Sequence, residues 1–169
     1  MDLRLRPFAP SDEFVARQAD EASRREIQRF LWGLNDGMAW AEYLEFLDKI
    51  RLGKDLAPNM VRGANLAAVA GGDLVGRVSI RFELNEFLWS GPGHIGYHVI
   101  ECHRGRGYAT EMLKQSLVIT RAEGIDAALV TCDVDNIASS SVISKCGGEF
   151  LDLASSSVDG KPIKRFWVR

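Results

Sequence analysis

The chain has 169 residues, 46% of them hydrophobic and 26% charged, and carries a net charge of −2. A chain of this size buries a core as a single domain, read here as residues 1–169, and its balanced charge argues against a nucleic-acid or membrane-surface partner. No run approaches the roughly 18 apolar residues of a membrane span, and the three cysteines, Cys102, Cys132 and Cys146, match no zinc pattern and cannot all pair; buried thiols in a cytoplasmic protein without a metal are expected.

The opening Leu3–Phe8 alternates as a short edge strand stopped by proline. Ser23 can cap a helix in which Ile27, Phe30 and Leu31 share one face, with Glu26 three residues after the cap. Trp40, Tyr43, Leu44, Leu47 and Ile50 form a second helical stripe. Arg51 to Asn65 reads as a loop. Strands Leu66–Ala70 and Leu74–Leu84 flank Gly71-Gly72-Asp73, a tight hairpin signal. An aromatic loop, Asn85 to Gly93, leads to the strand His94–Ile100. A helix from about Gly107 to Glu123 follows, ended by Gly124. Ala127–Val134 is an apolar strand, and Asn136–Cys146 is a helix stopped by Gly147-Gly148. A hairpin, Glu149–Ala154 with Pro162–Val168, closes the chain. The order β-α-α-β-β-β-α-β-α-β-β predicts an α/β (α+β) fold with a mixed sheet, not a regular doubly wound one.

Arg104-Gly105-Arg106-Gly107-Tyr108-Ala109-Thr110 lies between a strand and a helix. Such a junction exposes backbone N–H groups where the helix dipole favours negative charge. Gly105 and Gly107 allow an anion close to the main chain, and Arg104 and Arg106 add charge. A ligand bearing phosphates is expected. A P-loop would need Lys-Ser/Thr, which is missing. A dinucleotide fingerprint would need a third glycine where Thr110 stands. A plain tight turn uses the same residues.

Val99 to Leu113 resembles the central motif of the GNAT superfamily of acetyl-CoA-dependent N-acetyltransferases, Arg/Gln-x-x-Gly-x-Gly/Ala after a strand, through Arg104, Gly107 and Ala109. Asn136, Ser139, Lys145, Gly147 and Gly148 resemble that family's Asn-x-x-Ser…Lys-x-Gly-Gly/Phe helix. The resemblance is strong from Leu66 to Gly148 and weaker before Asn65. The run from Val75 to Leu88, with Gly93 to Tyr97, looks like a bacterial subgroup of predicted acetyltransferases.

The resemblance implies a GNAT fold, with a mostly antiparallel sheet splayed at the cofactor-binding strand and flanked by helices. It implies acetyl-CoA as co-substrate. Its pyrophosphate would rest on the N–H groups of Arg104, Gly105, Arg106, Gly107, Tyr108, Ala109 and Thr110. Its pantetheine would pair along Tyr97, His98 and Val99, with Val99 N–H as oxyanion donor and Asn136 and Ser139 alongside. Asn136 serves equally as a helix cap. The implied reaction is direct attack of a primary amine, on a small molecule or a protein; a non-catalytic acyl-CoA-binding module is the alternative.

The family's usual acid, a tyrosine seven residues after the asparagine, is Ile143 here, leaving solvent, Ser139 or Ser140 to substitute. The family's glutamate base falls near His94, whose imidazole is mostly neutral at pH 7. Glu83 is the next candidate base and would need partial burial; His98, on the face of His94, would relay through water. Trp32, Trp40, Tyr43 and the Phe87–Trp89 loop wall an acceptor pocket or fill the core. A homodimer is expected through a hairpin edge carrying Phe166 and Trp167.

Overall fold

The computed structural model describes residues 2–24 and 29–169. Seven strands, β1 (Leu3–Pro7), β2 (Gly63–Ala70), β3 (Asp73–Arg81), β4 (Ile95–Val99), β5 (Ala128–Asp133), β6 (Glu149–Ser155) and β7 (Pro162–Val168), form one sheet in the order β1-β2-β3-β4-β5-β7-β6. Only β4 and β5 run parallel. The helices are α1 (Glu13–Ala22), α2 (Trp40–Leu52), a single turn α3 (Glu86–Trp89), α4 (Tyr108–Ala122) and α5 (Ile137–Lys145). The mixed α/β architecture expected from the element order is the one observed.

Strand alternation divides the core in two. Leu66, Ala68, Val78, Ile80 and Ile95 face Met112, Leu113 and Leu117 of α4 and Ile143 of α5. On the opposite face Ala67 and Leu74 meet Trp40, Tyr43, Leu47 and Ile50 of α2, the stripe read from the sequence, together with Phe30 and Leu31. The β2–β3 turn is tight because Gly71 and Gly72 both adopt positive φ, +60° and +93°, as a two-residue hairpin requires.

Several local expectations are corrected. A helix lies earlier than expected, at Glu13–Ala22, with Ser23 as its C-cap, and residues 25–28 of the helix expected after Ser23 lie outside the described residues. The Ser23 hydroxyl donates to Asp20 O at 3.0 Å and accepts the Phe30 N–H at 2.8 Å. Buried Asp20 accepts from Leu31 N–H at 2.8 Å and from the Arg29 guanidinium. These side-chain bonds hold Arg29 to Leu31 in an irregular path where helical periodicity had been read. Glu26 and Ile27 lie outside the described residues. The second strand begins at Gly63, the third ends at Arg81, and a helical turn capped by Asn85 occupies the aromatic loop.

The closing hairpin forms as expected, but β7 is inserted between β5 and β6. Phe166 is buried and Trp167 packs on Trp89 at 5.7 Å, so neither sits on a free edge; the outer strand is β6, with Phe150, Leu151 and Leu153 exposed. Cys102 is exposed, contrary to the expectation of three buried thiols, because it lies in a 3₁₀ turn after β4. No helix among the described residues is long and apolar enough to cross a membrane.

Candidate active site

The sheet opens between β4 and β5, which pair at one position only, Ile95 with Val130. Just before it His94 donates its N–H to Leu129 O at 2.7 Å, and the His94 Nδ1 accepts the Leu129 N–H at 2.9 Å. Gly93 permits this approach: a Cβ there would stand 2.5 Å from Leu129 O, and its φ is +64°. Beyond Ile95 the strands part around a cavity of about 260 Å³ lined by Gly96, Tyr97, His98, Thr131, Cys132 and Asn136.

Ladder parity decides which groups face that opening. The Arg81 N–H donates to His94 O and the Ile100 N–H to Val75 O, so the main chain of Gly96 and His98 turns toward β3. The N–H groups of Tyr97 and Val99 therefore turn toward the opening. Val99 O is engaged by Arg104 Nε at 3.1 Å.

The strand leads into the glycine turn. Gly107 holds φ +83° at the N-cap of α4, a left-handed conformation that favours glycine. Among the described residues the N–H groups of Gly105, Arg106, Gly107, Tyr108, Ala109 and Thr110 donate to no protein acceptor. The Arg104 N–H, included in the sequence expectation, is instead spent on Glu101 O at 3.1 Å. Gly105, Arg106 and Gly107 are exposed, and a Cβ on Gly105 would meet nothing within 4 Å. Consecutive free amides at a helix N-terminus, open to solvent, fit a pyrophosphate.

Across the opening, Asn136 caps α5 by accepting the Ser139 N–H at 2.9 Å. Ser139 Oγ lies 2.7 Å from the Tyr97 hydroxyl. Burial pushes the Tyr97 phenol up to about 12, against the pull of the bond to Ser139. Burial likewise raises the Cys132 thiol, which keeps it protonated. Ile143, at the family's tyrosine position, is fully buried. The sequence reading had given Tyr97 only its main chain. The signal for its side chain was its alternation with His98, which aims residue 97 at the α4–α5 face.

The candidate bases separate. His94 is buried, and burial, helped by the Arg81 charge, pushes its imidazole down to about 4. Its Nδ1 lone pair is taken by Leu129, which leaves Nε2 as a donor. Glu83 lies past the end of β3 and is exposed. His98 lines the opening and packs edge-on against Phe30, ring centroids 5.4 Å apart. Among the described residues no group of three or more His, Cys, Asp or Glu side chains is gathered for a metal ion.

A parallel strand pair split at its start, with a free amide turn at the far end of the split, is the architecture of an acyl-CoA-dependent transferase. A family model for the acetyltransferase (GNAT) domain matches residues 2–149, and the chain belongs to the GNAT acetyltransferase family. It is thus an acyltransferase that takes its acetyl group from acetyl-CoA. No curated protein matches it in sequence. Solved structures share its fold at low identity. One is the RimJ of Mycobacterium smegmatis in complex with CoA-disulfide, 19% identical over 98% of this chain and 81% of that one, TM-score 0.71. Another is a putative ribosomal-protein-serine acetyltransferase from Vibrio cholerae, 21% identical over 98% of this chain and 92% of that one, TM-score 0.62. A third is a mutant form of the spermidine/spermine N-acetyltransferase SpeG of Vibrio cholerae, 14% identical over 99% of this chain and 94% of that one, TM-score 0.65.

Proposed function

We propose that the protein is an N-acetyltransferase in which a primary amine attacks acetyl-CoA directly within a ternary complex. The observation that carries this reading is the split at Ile95–Val130 continued into six amides, Gly105 to Thr110, without an acceptor among the described residues. Those amides would hold the pyrophosphate, Tyr97 and Val99 would pair with the pantetheine, and Val99 N–H would meet the thioester oxygen as charge develops there. Asn136 would border the arm from the other wall.

An alkyl ammonium has a pKa of about 10.4, so a proton must leave before attack. We assign its removal to His98, an imidazole on the wall of the opening, and a bridging role to His94, whose lone pair is committed. The departing thiolate, pKa about 8.5, would take its proton from the Tyr97–Ser139 hydroxyl pair. Two of the similar structures, the putative ribosomal-protein-serine acetyltransferase and the spermidine/spermine N-acetyltransferase, are named for a protein and a polyamine, which supports an amine acceptor without choosing one. Thiol release from acetyl-CoA over a panel of amines tests the reading. Coenzyme A binding with no thiol release for any amine would favour a non-catalytic acyl-CoA-binding module.

A further inference from the structure

On the α2 face of the sheet, a cavity of about 110 Å³ is bordered by Trp32, Met60, Asn65, Ser79, Arg81 and Phe87. Ser79 is the register partner of Gly96, which lines the acetyl-CoA opening, so this cavity and that opening meet one strand spacing apart. Glycine at position 96 places no side chain between them.

Arg81 is the unusual member. The only described bond of its guanidinium is from Nη1 to Gly93 O at 3.4 Å, and among the described residues no carboxylate lies within ion-pair reach. Other partly buried arginines are answered: Arg6 by Asp12, Arg29 by Asp20 and Arg165 by Asp152. On the same strand Arg77 spends Nε on Phe30 O at 3.0 Å and Nη2 on Arg29 O at 2.9 Å. Burial and the neighbouring Arg77 charge push the Arg81 guanidinium down to about 10, the mark of a cation held without a counter-charge. A guanidinium fork is shaped for two carboxylate oxygens. Asn65 and Ser79 add polar groups on the same face, while Trp32 and Phe87, each 49% exposed, form apolar walls at the mouth.

We propose that this cavity is the acceptor subsite and that the acceptor is a small amino acid, its carboxylate held by Arg81 and its amine presented past Ser79 and Gly96. A polyamine would bring further positive charge against Arg81 and Arg77 and is disfavoured. A protein N-terminus offers no free carboxylate beside its amine. The inference rests on the amine-acetyltransferase reading.

The test compares thiol release from acetyl-CoA with acceptors that differ only in carboxylate against carboxamide: glycine and glycinamide, leucine and leucinamide, methionine and methioninamide. Spermidine and a short peptide complete the panel. The carboxylates are expected to have the higher kcat/KM by about ten- to hundredfold, the worth of hydrogen bonds to a charged group. Arg81→Gln should raise KM for leucine by a similar factor and leave leucinamide and acetyl-CoA unaffected, and Arg81→Lys should restore part of the loss. Equal rates for acid and amide, preference for the peptide or spermidine, or equal loss of both on Arg81→Gln would overturn the subsite. The comparison on the unaltered enzyme stands even if a variant fails to fold. If no amine releases thiol, the catalytic reading fails instead. Calorimetric titration with leucine in the presence of coenzyme A then decides the subsite alone: saturable binding lost in Arg81→Gln supports it, and no binding rejects it.

Discussion

His94 and Leu129 bind each other twice, main chain to main chain at 2.7 Å and main chain to imidazole at 2.9 Å. The second bond replaces the ladder bond that the parting strands no longer make. It fixes the start of the opening to one residue pair, and it works only while Nδ1 is unprotonated.

That condition sets a pH dependence. In the fold His94 titrates near 4, whereas an unfolded histidine titrates near 6.5. Above about pH 6.5 both forms are neutral and the bond contributes fully. Between 6.5 and 4 only the unfolded chain takes up the proton, so stability falls as pH falls, by about 2 kcal/mol from pH 7 to pH 5. His94→Asn puts an amide oxygen where Nδ1 stands and should remove that slope, while His94→Ala should be destabilised at both pH values. Urea denaturation at pH 7 and pH 5 gives the comparison; a wild-type protein equally stable at both would reject it.

The amide turn predicts an ordering of variants. Gly107→Val introduces a branched side chain at φ +83° and crowds the anion's approach, so coenzyme A affinity should drop by at least about tenfold. Arg106 is exposed and among the described residues donates only to Cys102 O, so Arg106→Ala should cost a few-fold at about 0.15 M salt. Calorimetric binding of coenzyme A to both folded variants checks the order, and the reverse order would mean that side-chain charge does the holding.

His98 gives a third expectation. His98→Ala should lower kcat by about 10²-fold, with the KM of acetyl-CoA little changed. His94→Asn should keep most of kcat. If His94→Asn loses turnover and His98→Ala keeps it, the assignments exchange.

The legible parts of this chain were those set by local rules. The α2 stripe, the Gly71-Gly72 turn, the glycine turn before α4 and the Asn136 cap are each fixed by neighbours in sequence, and each formed as read. The helix Glu13–Ala22 went unread, and Phe30 and Leu31 fell outside any helix because distant side chains, Ser23 and Asp20, take up their N–H groups. The walls of the opening depended on partners distant in sequence. Nothing beside His94 announces Leu129, 35 residues on, and nothing beside Tyr97 announces Ser139. The same holds for β7, whose insertion between β5 and β6 moved Phe166 from an edge into the core.

Restoring the family's tyrosine should fail. Ile143 is fully buried in the core that α4 and α5 share with the sheet, and a Cβ on Gly148 would already stand 2.4 Å from its Cγ2. Ile143→Tyr adds volume and a hydroxyl to a filled space, at a cost of about 1–3 kcal/mol. Lower denaturation midpoints with no gain in kcat are expected; a faster enzyme would show that the ring finds the opening.

The last prediction concerns how the leaving thiol is protonated. The Tyr97 hydroxyl is buried, raised to about 12 and bonded to Ser139 Oγ at 2.7 Å, so it stays protonated at every pH at which the enzyme would work. A donor with so high a pKa is matched to its task only if Ser139 stabilises the phenolate as it forms, which ties the two groups into one unit. Tyr97→Phe keeps the ring against α4 and α5 and removes only the hydroxyl; kcat should fall about ten- to hundredfold, since protonating a thiolate is a lesser demand than typical acid catalysis. Ser139→Ala should reproduce most of that loss, and the double variant should be little worse than Tyr97→Phe alone, because residues acting as a unit are not additive. Coenzyme A affinity should change little in Tyr97→Phe, whose main-chain groups are untouched. Multiplicative losses in the double variant, or an unchanged kcat in Tyr97→Phe, would transfer protonation of the thiol to solvent.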